Sequence, residues 1–388
     1  MSATVRTDAI EPFHVVELLT RAKQLEAGGH DVIHMEVGEP DFPTPPGIVA
    51  AATDALQRKP LGYTPALGIP ELREAIADFY WHQHRVRISP ARIVVTAGAS
   101  GALTLACACL TAPGSRWLLP DPGYPCNRSF VRAFDGQPVP LATSAASNFQ
   151  PTAEQVANAW NERTGGVILA SPSNPTGTVI DPAELAEIAA TVHGRGGALV
   201  VDEIYSGLVY DSPPTTALAH PGIADEQLWI IQSFSKYWQM TGWRLGWLVV
   251  PEAHLRAVEK LAQNLFIAPS TPAQYAALAA FSAETLMLVE ARRRAFKQRR
   301  DTLVPLLAEL GFGVPAIPGG AFYVYADASA LTTDSYAYSR RLLETAHVAI
   351  TPGIDFGQTS PERFVRFAYT TAAERITEAA ERIARLCK

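Results

Sequence analysis

Six short runs rich in valine, isoleucine and leucine recur along the chain, at 93–96, 117–119, 167–170, 198–201, 228–232 and 246–250. A strand with one solvated face alternates apolar and polar residues, so continuous apolar runs signal strands buried on both faces. Helix-periodic segments lie between them at 100–111, 182–195 and 252–265. This alternation predicts an α/β fold: a large domain whose mainly parallel central sheet is covered by helices. After Pro272 the texture changes. A long helical stretch over 273–310 precedes strands at 322–326, 348–351 and 364–369 and a final helix from Ala372, which predicts a smaller α+β domain. The opening segment carries a helix over 15–27 and the turn-rich Gly38-Glu39-Pro40-Asp41-Phe42-Pro43-Thr44-Pro45-Pro46. It is expected to pack on that smaller unit, making it discontinuous. The expected division is 1–45 with the small domain, 46–272 as the large domain and 273–388 as the small C-terminal domain.

Composition narrows the classes of partner. The 388 residues are 48% hydrophobic and 18% charged, which fits a compact globular chain. A net charge of −6 repels phosphate backbones, so no nucleic acid is expected. Met1-Ser2-Ala3-Thr4-Val5-Arg6 lacks the apolar stretch of a secretory signal, and no apolar run reaches the roughly 18 residues of a spanning helix, so no membrane is expected either. Four cysteines (Cys107, Cys109, Cys126, Cys387) are too few for a disulfide framework, which points to a reducing cytoplasm. His82 and His84 stand two apart on a predicted helix and face different ways, so no metal site is expected. Cys107 and Cys109 read as buried core.

The residues that can carry chemistry follow the strands. Ser233-Phe234-Ser235-Lys236 succeeds one apolar run and leads to Thr241-Gly242-Trp243-Arg244. A lysine just off a buried strand has the surroundings of a desolvated, imine-forming amine, although alone it equally reads as a loop lysine. Asp202 ends another run with Tyr205 three residues later; by itself that aspartate also reads as a helix cap. Ser171-Pro172-Ser173-Asn174-Pro175-Thr176-Gly177 follows a third run as a rigid turn presenting Asn174. Gly98-Ala99-Ser100-Gly101 follows a fourth and opens a helix, where backbone N–H groups can hold a phosphate. Ligands of open α/β sheets bind beyond the carboxyl ends of the strands. A lysine, a carboxylate, an amide and a phosphate cradle at one sheet edge together describe a site for pyridoxal 5′-phosphate.

From about Glu36 to Tyr369 the sequence resembles the class I/II aminotransferases of the aspartate aminotransferase fold, fold type I among enzymes using this cofactor. The motifs that carry the resemblance are Tyr63-Thr64-Pro65-Ala66-Leu67-Gly68, Asp121-Pro122-Gly123-Tyr124-Pro125, Ser173 to Gly177 and Ser233 to Arg244. The resemblance implies that Lys236 carries the cofactor and moves the substrate proton, that Asp202 pairs with the ring nitrogen, and that Tyr205 and Asn174 bond the ring oxygen. Tyr124 would stack on the ring. Ala99, Ser100, Ser233 and Arg244 would hold the phosphate, with Tyr63 reaching it from the other subunit of a homodimer. Arg366 would take the α-carboxylate of the substrate beside Gly38. The implied activity is amino transfer from an α-amino acid to a 2-oxo acid by a ping-pong mechanism. A carbon–sulfur β-lyase of the same fold is the alternative, and a non-catalytic cofactor-sensing regulator a more distant one. With no second cation assignable, neutral side chains are expected on the donor, and Phe13, His14, Tyr323 and Trp238 are candidates for its pocket.

Overall fold

The computed structural model describes Ile10 and residues 13–386; the opening Met1 to Arg6 and Cys387 lie outside the described residues. After a two-residue strand β1 (Ile33–His34) come β2 (Ile93–Thr96), β3 (Arg116–Asp121), β4 (Gln137–Ala142), β5 (Thr164–Ala170), β6 (Ala198–Asp202), β7 (Leu228–Ser233) and β8 (Gly246–Val249). β2 to β8 form one sheet in the order β2-β8-β7-β6-β5-β3-β4. Neighbours from β4 through β7 are parallel, whereas β8 runs against both β7 and β2. The carboxyl ends of the other strands therefore share one edge. The reversed β8 brings its first residue there too, with Gly246 opposite both Thr96 and Ser233.

The strand β4 is absent from the sequence reading, and its prolines explain why. Pro138 and Pro140 cannot donate to a ladder, which argues against a central strand but is compatible with the outermost position that β4 occupies beside β3 alone. Helices cover both faces of this sheet. On one, the helix Gly98–Leu110 buries Leu103, Ala106 and Cys107 against Trp117, Trp229 and Leu248. On the other, Leu72, Ile76, Ile188 and Ala276 pack over Val95, Leu169 and Ile230.

The expected single helix over 273–310 is two helices, Thr271–Leu278 and Ala283–Glu309. A 3₁₀ turn at Ala279–Phe281 ends the first, and Ser282 starts the second by accepting the Thr285 N–H at 3.2 Å. Beyond them β9 (Tyr323–Asp327), β10 (Val348–Ala349), β11 (Thr351–Pro352) and β12 (Phe364–Ala368) divide between two sheets. The expected strand at 348–351 is split: β10 pairs with β1, while β11 joins β12 and β9. The opening helix His14–Ala27 lays Leu18, Ala22 and Leu25 against Val32, Leu343 and Ala349. Two buried leucines contribute about 3–6 kcal/mol, a small anchorage for a 14-residue helix, so its polar ties matter as well. At its start the Asp355 carboxylate accepts the His14 and Val15 N–H groups, each at 2.9 Å.

Candidate active site

The loops at the shared strand edge enclose a cavity of about 560 Å³. β2 delivers Ala99 and Ser100 to it, β5 Asn174, β6 Asp202 and Tyr205, β7 Ser233 and Lys236, and the start of β8 Arg244. Tyr124, at the start of the helix Pro125–Ala133, forms one wall. Gly38 lines the cavity from the opening segment and Arg366 from β12. Tyr63 is 86% exposed and does not line the cavity of its own chain.

At the inner end the groups are desolvated. Asp202 is buried, its Oδ1 accepting the Ile204 N–H at 3.1 Å, and among the described residues no cation forms an ion pair with it. Burial pushes its carboxyl up to about 7, against the opposing pull of that N–H and of Lys236. Burial acts in the other direction on Lys236, lowering its amine to about 8, and Nζ donates to the Gly38 carbonyl at 2.6 Å. Ser233 Oγ accepts the Ser235 N–H at 3.0 Å, which fixes the loop between strand and lysine. Gly98 adopts φ +70, and a Cβ there would lie 2.8 Å from Arg244 Nη2, so only glycine lets the guanidinium sit over the start of the helix.

This arrangement fits pyridoxal phosphate. A buried carboxyl with raised proton affinity and, among the described residues, no ion-pair partner suits a cationic ring nitrogen. An amine whose pKa is lowered suits imine formation, and a helix start beside Ser233 and Arg244 suits a phosphate.

At the outer end Arg366 is buried and, among the described residues, has no carboxylate partner. Its Nη1 donates to Asn174 Oδ1 at 2.8 Å, its Nη2 to the Glu36 carbonyl and to Thr351 Oγ1, and its Nε has no partner among the described residues. Thr351 Oγ1 in turn donates to the Glu36 carbonyl at 2.9 Å. A guanidinium held by neutral acceptors keeps its charge for a ligand. The Tyr205 hydroxyl lies 2.8 Å from the Tyr323 hydroxyl. That tyrosine also explains Gly38, where a Cβ would fall 1.9 Å from the Tyr323 hydroxyl.

Two residues expected in the side-chain pocket lie elsewhere. Trp238 is core: it packs on Phe79, Phe234 and Trp247, and its Nε1 donates to the Ala280 carbonyl at 3.0 Å. His14 turns its ring to Tyr336, 5.2 Å away edge-on, outside the cavity. Phe13 and Tyr323 do line it, joined by Val15, Val16 and Leu19 of the opening helix. Sequence reasoning missed Glu36, Thr351 and Asp355. Glu36 and Thr351 act on Arg366 through a backbone carbonyl and a lone hydroxyl, neither of which leaves a sequence signal. Asp355 caps a helix 340 residues away in sequence, a pairing with no local signal.

The family model for aminotransferase class I and II matches residues 30–383. The valine–pyruvate aminotransferase of Mycobacterium tuberculosis is 40% identical over 375 residues, covering 96% of either chain. The aspartate/prephenate aminotransferase of Thermus thermophilus is 34% identical, over 98% of this chain and 97% of that one. Among solved structures, an aminotransferase from Mycobacterium tuberculosis superposes with a TM-score of 0.95 at 38% identity, covering 100% and 99% of the two chains. The aspartate aminotransferase of Thermus thermophilus with maleate gives 0.93 at 33% identity, covering 100% of both. With the sheet, the cavity and these matches in agreement, the chain belongs to the class I and II aminotransferases of the aspartate aminotransferase fold, and is a pyridoxal-phosphate-dependent enzyme that transfers the amino group of an α-amino acid to a 2-oxo acid.

Proposed function

We propose that this enzyme takes α-amino acids with neutral, apolar side chains as its amino donors. One observation carries the reading. Of the described residues lining the cavity, three are cationic, Lys236, Arg244 and Arg366, and each has a task in the transfer that leaves none for a second carboxylate. The remaining wall toward the opening helix is Phe13, Val15, Val16 and Leu19. Arg128 does not line the cavity, and its Nη2 donates to the Asp355 carbonyl at 3.1 Å. The identity to the relative named for valine and pyruvate, 40% against 34% for the one named for aspartate and prephenate, points the same way.

Each residue has a task in this reading. Pyridoxal phosphate, when bound, supplies an electron sink for the carbanion left when a proton leaves Cα. Asp202 holds the ring nitrogen in its charged form, and Tyr205 and Asn174 bond the ring oxygen. Tyr124 stacks on the ring, and Ala99, Ser100, Ser233 and Arg244 grip the phosphate. Lys236 holds the cofactor and then moves the substrate proton, its amine poised near neutral pH for that work. Arg366 fixes the α-carboxylate while Gly38 leaves room beside it. Two half-reactions alternate in a ping-pong cycle within a cytoplasmic homodimer, the large domain spanning 46–272 and the small one 273–388 with the first 45 residues.

Tyr63 completes the partner's phosphate site. In support of a subunit contact there, Leu61, Tyr63, Leu265, Phe266 and Ile267 are exposed apolar residues, and Thr271 Oγ1 joins their two segments by donating to the Gly62 carbonyl at 2.8 Å. Lys236→Ala chains mixed with Tyr63→Ala chains are expected to regain activity by forming one intact site per mixed dimer; a mixture that exchanges subunits yet stays inactive removes Tyr63 from the site. The donor reading is tested by mixing the holoenzyme with each amino acid and following the cofactor absorbance to its aminated form. Valine, leucine or an aromatic amino acid is expected to react fastest, and aspartate or glutamate in that place overturns the reading.

A further inference from the structure

Glu36 is a fully buried carboxylate on the wall of the same cavity that holds Arg366. Its backbone carbonyl already accepts from that guanidinium, and its Oε2 has no hydrogen-bond partner among the described residues. A buried carboxylate in the residue that already binds Arg366 through its backbone is an intramolecular rival of a substrate carboxylate, because an arginine binds either with the same fork. What occupies the rival is His34. Its Nδ1 lies 2.7 Å from Glu36 Oε1 and its Nε2 3.1 Å from Glu26 Oε1 on the opening helix. A ring with both nitrogens against carboxylate oxygens donates from both, so it is the imidazolium. The Glu36 contact lifts its pKa to about 9 despite partial burial, with Glu26 assisting. His34 ends β1 and Glu36 stands two residues beyond it, so the pairing is local in the chain.

We propose that His34 is a positioning residue for substrate binding: it pairs with the Glu36 carboxylate and so keeps Arg366 free for the carboxylate of the amino acid. The inference rests on the reading of Arg366 as the anchor of that carboxylate. Without His34 the buried Glu36 charge is uncompensated, and Arg366, which already donates to the backbone carbonyl of the same residue, is offered to it as a partner. Amino acids then compete with an internal carboxylate. The effect falls on KM and on carboxylate affinity, and leaves proton movement at Lys236 untouched.

The test uses holoenzyme and 3-methylbutanoate, a carboxylate with no amine to transfer, its binding read from the cofactor absorbance near neutral pH. His34→Gln is expected to weaken binding by about tenfold. The double variant His34→Gln/Glu36→Gln, which removes the rival as well, is expected to return to within about threefold of wild type. A merely structural role for His34 predicts no such rescue. Unchanged binding in His34→Gln, or a double variant as weak as the single one, overturns the proposal. Should His34→Gln not fold, Glu36→Gln alone must bind at least as tightly as wild type, and weaker binding overturns the proposal. Arg366→Ala separates the two readings. If it abolishes 3-methylbutanoate binding while His34→Gln changes nothing, only the role of His34 fails; if it binds like wild type, the Arg366 reading fails and takes the proposal with it.

Discussion

At the inner end of the cavity each contributing group lies at or within a few residues of a strand end, whereas at the outer end Arg366 is held by an amide 192 residues away and a carbonyl 330 residues away in sequence. The inner loops are fixed by the sheet. Moving Lys236 or Asp202 means moving β7 or β6, whose residues are buried throughout. The outer end exists only where the opening segment, β11 and β12 meet, and its wall is a helix with modest apolar anchorage tied by Asp355 at its start. Substitutions at the inner end should therefore impair chemistry, and those at the outer end binding, with little crossover.

The strongest attempt to break that division is Asp202→Ala. Removing preorganised charge stabilisation from the ring nitrogen is expected to lower kcat by about 10²–10³-fold. The cofactor should stay bound, because the phosphate contacts proposed for Ala99, Ser100, Ser233 and Arg244 do not involve the ring nitrogen. Spectra and turnover measured together check this; near-wild-type turnover would reduce Asp202 to a structural carboxyl.

A smaller effect is expected from Arg366→Ala. Loss of its charge-assisted bonds to the substrate should lower kcat/KM for every amino acid by about 2–3 kcal/mol, with the bound-cofactor spectrum unchanged. A variant that loses the cofactor instead would show that the two ends are not separable.

The smallest effect sharpens the inner end alone. The nucleophile in cofactor loading is the free amine, and burial lowers Lys236 to about 8. The sign is that of a depressed base: below pH 8 the amine gains its proton and the rate falls by about tenfold per unit, and above it the rate levels. Stopped-flow reconstitution of apoenzyme across pH reads this directly. A plateau reached only near the ordinary lysine value of about 10.4 would show a solvated amine.

The same contrast governs what is legible in the sequence. The strand-ending motifs are local, so Lys236, Asp202, Asn174 and the Gly98 to Ser100 helix start, each ambiguous alone, are legible in combination, and Lys236, Asp202, Asn174, Ala99 and Ser100 meet in the cavity. The outer end resists such reading. Arg366 stands out only by resemblance, and the carbonyl of Glu36 and the hydroxyl of Thr351 that hold it belong to residues ordinary in type and distant in sequence. Trp238 misleads because nearness to Lys236 in sequence is not nearness to the cavity; the chain turns at Gln239, where φ is +50, after burying the tryptophan in the core. β4 escapes notice because edge strands tolerate the prolines that central strands exclude.

Borohydride treatment of the holoenzyme followed by peptide mapping tests most directly whether the strand-edge loops hold the cofactor. Reduction should fix the cofactor to the peptide containing Lys236, and in Lys236→Ala no peptide should retain it. A label on any other lysine of the wild-type chain would contradict the assignment of the inner end and, with it, the division between the two ends of the cavity.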